Sequence, residues 1–123
     1  MKPGKSESTR IEYRSPDSAC NPYLAFAVIL AAGLRGIEQG YELPAEADAN
    51  LFDLSPEELD AKGILHLPGS LQEALTLMAG SDLLAETLGD HVFEWFLRNK
   101  RAEWAAYKSH VSQFELDRYL PLL

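Results

Sequence analysis

A chain of 123 residues with 46% apolar and 24% charged side chains has the composition of one ordinary soluble globular domain, not of a disordered or membrane protein. The formal net charge of −8, with basic residues scattered apart from Arg98, Lys100 and Arg101, argues against a nucleic-acid footprint. A single cysteine, Cys20, makes no internal disulfide and no Cys-rich metal centre, so it reads as a small buried apolar residue in a reducing compartment.

Met1 is followed by Lys-Pro-Gly-Lys-Ser-Glu-Ser, which lacks the apolar core of a secretory signal. The predicted elements begin with a strand over Ser8 to Arg14, supported by Thr9, Ile11 and Tyr13. Alternation along it places Arg10, Glu12 and Arg14 on one face and Ile11 and Tyr13 on the other. A carboxylate between two guanidiniums suits a place where a magnesium nucleotide meets an anionic substrate. The same row is also that of a solvated edge strand with weak surface pairs. Ser15-Pro16-Asp17-Ser18 is a turn.

Asn21 caps the first helix, with Pro22 in its first turn, and the helix runs to about Gln39 before stopping at Gly40. Its stretch Tyr23 to Leu34 is apolar nearly all round, which predicts burial on more than one side, with Gly33 and Gly36 as close-packing points. It is also the longest uncharged apolar run, and is shorter than the roughly 18 residues of a membrane span. The expected compartment is therefore the cytoplasm.

A loop covers Tyr41 to Asn50. Three serines with a glutamate three residues on, Ser55/Glu58, Ser70/Glu73 and Ser112/Glu115, predict capping boxes that open three helices. The first of these ends before Gly63, the second at Gly80. Between the last two boxes lie a short helix from Asp82 to Leu88 and a long one from about Asp90 to His110. Phe93, Leu97, Trp104, Tyr107 and Val111 recur on the long helix at spacings that predict a core-packing stripe. His66, His91 and His110 are isolated, without metal-ligand spacing, and no nucleophile elbow, Gly-rich phosphate loop or Cys–His pair occurs.

The words Arg-x-Glu-x-Arg over Arg10–Arg14, Pro16-Asp17, Asn21-Pro22-Tyr23-Leu24 and Gly33-Leu34-Arg35-Gly36-Ile37 resemble the C-terminal part of glutamine synthetase. So do Asn50-Leu51-Phe52-Asp53-Leu54, Leu67-Pro68-Gly69-Ser70-Leu71, Glu73-Ala74-Leu75, Leu88-Gly89-Asp90, Lys100-Arg101-Ala102-Glu103-Trp104 and Glu115 to Pro121, all in order. The resemblance covers the chain from about Lys2 onward. It implies an α+β, predominantly helical fold: one N-terminal strand from the catalytic-domain sheet, then about five or six helices. Residues 1–123 would be the C-terminal portion of that catalytic domain.

By the same resemblance the activity is ATP-dependent ligation of ammonia to glutamate through γ-glutamyl phosphate. Glu12 takes the role of a ligand to Mg2+ or Mn2+. Arg10 serves the nucleotide phosphates and Arg14 the substrate glutamate. A family lysine ahead of the motif falls nearest to Lys5, although Glu7, not a lysine, stands three residues before Arg10; Lys2 is a weaker match. Phe52 stands where some bacterial members carry a tyrosine that is adenylylated, and a benzyl ring has no oxygen to receive AMP.

The family's other metal carboxylates, its substrate-binding histidine and its small N-terminal β domain lie upstream of this motif, so the expectation is a fragment, inactive alone. Related ligases form stacked hexameric rings in which the C-terminal segment docks into an opposite subunit. The apolar Phe114, Leu116, Tyr119, Leu120, Leu122 and Leu123 fit such a homo-oligomeric anchor. A competing expectation is a truncated, non-catalytic helical module that binds glutamine synthetase subunits or another partner.

Overall fold

The computed structural model describes residues 10–47 and 50–122. Five α-helices follow one another: α1 (Pro22–Glu38), α2 (Pro56–Ala61), α3 (Leu71–Ala79), α4 (Asp82–Ser109) and α5 (Gln113–Tyr119). Single 3-10 turns stand at Leu51–Asp53 and Leu120–Leu122. No strand occurs among the described residues, so the expected strand at Arg10–Arg14 has no counterpart there. The physical reason is that a strand is defined by its pairing, and no described segment lies alongside to complete a ladder.

Local chemistry sets the helix ends. The Asn21 Oδ1 accepts from the N–H groups of Tyr23 (3.0 Å) and Leu24 (3.4 Å), and Pro22 occupies the first turn, where a missing N–H costs nothing. At the other end Tyr41 N–H donates to Gly36 O and Gly40 N–H to Ile37 O, a Schellman closure that requires Gly40 at φ 63°. Ser55 and Ser112 close complete capping boxes with Glu58 and Glu115. The third predicted box is only half made. Ser70 Oγ accepts from Glu73 N–H, but the Glu73 carboxylate takes Gly69 N–H at 2.8 Å. Ser70 lies at φ −149°, against −72° and −77° at Ser55 and Ser112, which turns its own N–H away from that carboxylate.

α4 is two helices joined without a loop. Gly89, at φ 71° and ψ 156°, breaks the helical path between Leu88 and Asp90, where the sequence predicts the division. These dihedrals lie in a region open essentially to glycine alone.

Both α1 and α3 pack on α4. The face of α1 turned to it is carried by half-buried Leu24, Val28, Ala31 and Arg35, spaced as one helix stripe, and Arg35 forms an ion pair with Glu86. Among the described residues the buried side chains are Leu59, Leu75 and Leu97, one each from α2, α3 and α4. The expectation that α1 is covered on several sides is not met: it contains no buried residue, and Tyr23, Phe26, Leu30, Leu34 and Ile37 are exposed. Its apolar circumference exceeds what one neighbour can cover.

The long-helix stripe also needs correction. Leu97 is buried and Phe93 and Trp104 are half-buried, but Tyr107 and Val111 are exposed. At 1.5 Å per residue the part of α4 after Gly89 extends about 30 Å and α1 about 25 Å, so the end of α4 outruns its neighbour. There Trp104 and Tyr107 stack on each other with ring centroids 5.8 Å apart. Gly33 meets no neighbour within 4 Å of a Cβ position, and Gly36 meets only Tyr41. Neither is a helix–helix contact point, contrary to the close-packing expectation.

Candidate functional site

Just ahead of α1, an Asp17 turn leads the chain into the helix. The Asp17 Oδ1 accepts from Ala19 N–H at 2.7 Å and its carbonyl from Cys20 N–H at 3.0 Å. Upstream of that turn, Arg14 Nε and Nη2 both reach Glu12 Oε1, at 2.7 and 2.5 Å. Arg10 is exposed near them, as are both partners of the pair. Lys5 and Lys2 lie outside the described residues.

The predicted alternation survives without a ladder. Ile11 and Tyr13 border an open trough of about 900 Å³, while Arg10, Glu12 and Arg14 do not line it. The trough is walled by Leu24, Ala25, Val28 and Ile29 of α1, by Ala74 and Met78 of α3, and by Leu84, Leu88 and Phe96 of α4. One stretch of chain thus offers an apolar face to a hydrophobic hollow and a charged face away from it.

An exposed pair of this kind contributes between zero and about 1 kcal/mol, so either group is readily released to another partner. The Arg14 fork engages one carboxylate oxygen of Glu12 and leaves Oε2 for a further ligand. A magnesium ion takes about six oxygens. Among the described residues there is no group of three or more His, Cys, Asp or Glu that could hold a metal. The described residues alone therefore do not fit a metal centre.

A profile of the glutamine synthetase catalytic domain matches residues 1–119. The chain belongs to the glutamine synthetase family. It is 61% identical over 120 residues to the glutamine synthetase of Mycobacterium tuberculosis, 98% of this chain and 27% of that protein. Over the same coverage it is 58% identical to the Mycolicibacterium smegmatis enzyme, and it is 47% identical over 119 residues to that of Methanosarcina mazei. A solved structure, apo GmaS without ligand, superimposes with a TM-score of 0.68 at 36% identity, covering 87% of this chain and 24% of its own. The chain thus spans about a quarter of the length of the relatives it matches.

Against this glutamine synthetase framework two further residues stand out. Phe52 is almost wholly exposed on its 3-10 turn, which Asn50 braces by accepting from Phe52 N–H and donating to Asp53 at 2.9 Å. Its ring therefore anchors nothing among the described residues. Cys20 is exposed beside the trough and not buried as expected, because nothing described packs over the start of α1. Sequence reasoning did not single out the trough, although the all-round apolarity of α1 was its signal. Among the described residues no helix is long and apolar enough to cross a membrane.

Proposed function

We propose that this chain is the C-terminal portion of the catalytic domain of an ATP-dependent glutamate–ammonia ligase. In it Arg10, Glu12 and Arg14 form one edge of the active site. The observation that carries the reading is the separation of faces at residues 10–14. Ile11 and Tyr13 turn to the apolar trough while the Glu12–Arg14 pair stands clear of it, on a chain 61% identical to a glutamine synthetase.

Each side chain acts by what it presents. Glu12 would supply a carboxylate oxygen to a divalent cation, Mg2+ or Mn2+, as one ligand of a larger set. Such a cation, when bound, gathers the phosphates of ATP and neutralises their charge. Arg10 brings a permanent charge to the nucleotide phosphates, with Lys5 as a second candidate. Arg14 exchanges the Glu12 carboxylate for that of substrate glutamate, an exchange its planar fork suits. The Arg10 guanidinium would stabilise charge at the transferring phosphoryl group as the glutamate carboxylate displaces ADP to give γ-glutamyl phosphate, from which ammonia displaces phosphate. The whole enzyme is a cytoplasmic homo-oligomer of stacked hexameric rings. The tail from Gln113 is its intersubunit anchor, since Phe114, Leu116, Tyr119, Leu120 and Leu122 are all exposed.

The test is a pair of substitutions in the full-length subunit. Glu12→Gln removes the ligand charge and lowers kcat by about 100-fold or more, beyond the loss usual for residues behind a metal ligand. Arg14→Lys keeps charge but loses the fork, raising KM for glutamate about tenfold, the equivalent of one charge-assisted hydrogen bond. Steady-state kinetics with ATP, glutamate, ammonia and magnesium read both. An Arg14→Lys enzyme with unchanged KM and kcat refutes the glutamate role. The isolated chain is expected to show no turnover, and activity rising with its concentration refutes that expectation.

A further inference from the structure

Two of the ion pairs among the described residues join neighbours in sequence, Glu12 with Arg14 and Lys100 with Glu103. The pair of Arg35 with Glu86 is different, because its partners stand 51 residues apart and tie two helices together. Arg35 Nη2, in the last turn of α1, donates to Glu86 Oε2 on the short first half of α4, just before the break at Gly89. Arg35 belongs to the stripe that seats α1 on α4, which it shares with half-buried Leu24, Val28 and Ala31. Apolar contacts attract without direction, so three aliphatic side chains hold a helix on its neighbour but tolerate small slides along it. A hydrogen-bonded ion pair has a set length and direction, and therefore fixes register. Stability is not its contribution: the Glu86 side chain is 69% exposed, and so open a pair adds little.

Register matters because of what α1 carries at its other end. Asn21 caps the helix, and the Asp17 carboxylate and carbonyl bind the N–H groups of Ala19 and Cys20 immediately before that cap. Turn, cap and helix are thus joined by successive hydrogen bonds, and a slide of α1 carries the turn with it. Arg10, Glu12 and Arg14 lie directly ahead of the turn. From Asn21 to Arg35 is about 21 Å along the helix axis, so Arg35 acts on the segment 10–14 only through α1.

We propose that Arg35 and Glu86 are a positioning pair for the ligase reaction: they pin the register of α1 on α4 and, through α1, the placement of Glu12 and Arg14. The pin itself stands on the geometry of the two helices. Its consequence for catalysis rests on the functional reading above.

Two measurements test it. Cys20, the single cysteine, is exposed just ahead of α1, and Asn99 is exposed on α4. Spin labels on Cys20 and on Asn99→Cys report the distance between the two helices by pulsed electron resonance on this chain. Arg35→Met, which keeps the bulk of the stem without the charge, is expected to shift or broaden that distance while changing Tm by no more than about 3 °C. An unchanged distance distribution overturns the pin, whatever the enzyme does. In the full-length subunit, Arg35→Met and Glu86→Gln are each expected to lower kcat about tenfold with KM for ATP little changed, since a remote misplacement of about 1 Å costs up to about 100-fold. The double variant is expected to lose no more than either single one, because the two side chains make one contact. Arg35→Lys keeps the charge in a contact that uses one nitrogen, and is expected to hold kcat within about threefold. Unchanged kcat in both single variants, losses that multiply in the double variant, or a loss that tracks a fallen Tm overturns the positioning role. A full-length wild type without ligase activity counts against the functional reading alone, and the label distance then decides the pin.

Discussion

At Ser112 the chain completes its own hydrogen bonding within four residues. The hydroxyl accepts from Glu115 N–H, and the Glu115 carboxylate accepts from Ser112 N–H at 2.8 Å. At residues 10–14 almost nothing is completed locally: one exposed ion pair spans two residues, and the apolar side chains face an open trough. Helix ends are thus finished by neighbours in sequence, while residues 10–14 have no such closure among the described residues. Structure that is locally closed is informative about folding, and structure that is locally open is informative about function.

Substitutions on the closed side should cost stability, and the deepest contact should cost most. Leu75, on α3, is 2% exposed, so Leu75→Ala is expected to destabilise the chain by about 2–5 kcal/mol in urea unfolding. A loss below about 1 kcal/mol would mean that the helical layer lacks a cooperative core. Next in size is Gly89→Ala. Space is not the obstacle, since nothing lies within 4 Å of the added methyl; the backbone at φ 71° is. We expect a loss of about 1–3 kcal/mol in the same assay.

A capping substitution should do less. Ser112→Ala removes a hydroxyl acceptor from the start of α5 and is expected to cost about 1 kcal/mol. The same cap carries a pH signature. The Ser112 backbone N–H, then its hydroxyl, holds the Glu115 carboxyl below its ordinary range. A carboxyl with a lowered native pKa stabilises the fold above its unfolded value, and loses that contribution as pH falls through the native one. Fraying of α5 should therefore begin below about pH 4.5 and deepen on further acidification, and Ser112→Ala should flatten that dependence. Circular dichroism against pH checks both.

The smallest effect sharpens the contrast. Arg14→Ala in this chain alone removes an exposed pair and should change stability by no more than about 0.5 kcal/mol. In the full-length ligase the same residue is predicted to govern glutamate use. A large stability loss in the isolated chain would mean that Arg14 has a structural task here.

Helix termini were legible because their signals act over three or four residues: Asn21-Pro22, Ser55/Glu58, Gly40 and Gly89 each stand where the fold uses them. The faces of residues 10–14 were legible too, since side-chain alternation needs no partner. Two kinds of expectation failed where a partner was needed. The stripe on α4 read as core through Tyr107 and Val111, but coverage depends on how far α1 reaches. Cys20 read as buried from its residue type, but burial depends on what packs over it. The trough belongs to the same category, because its walls come from α1, α3 and α4 and from the segment ahead of them.

Short-range hydrogen bonding, backbone period and ordered motifs made the helix ends, the shared faces at residues 10–14 and the family readable from the residues alone. Which apolar residues are covered, that Arg14 engages Glu12 through one oxygen, and that α1 flanks an open hollow were visible only once the helices had packed. Those depend on relative helix lengths and packing across many residues, where no local rule applies.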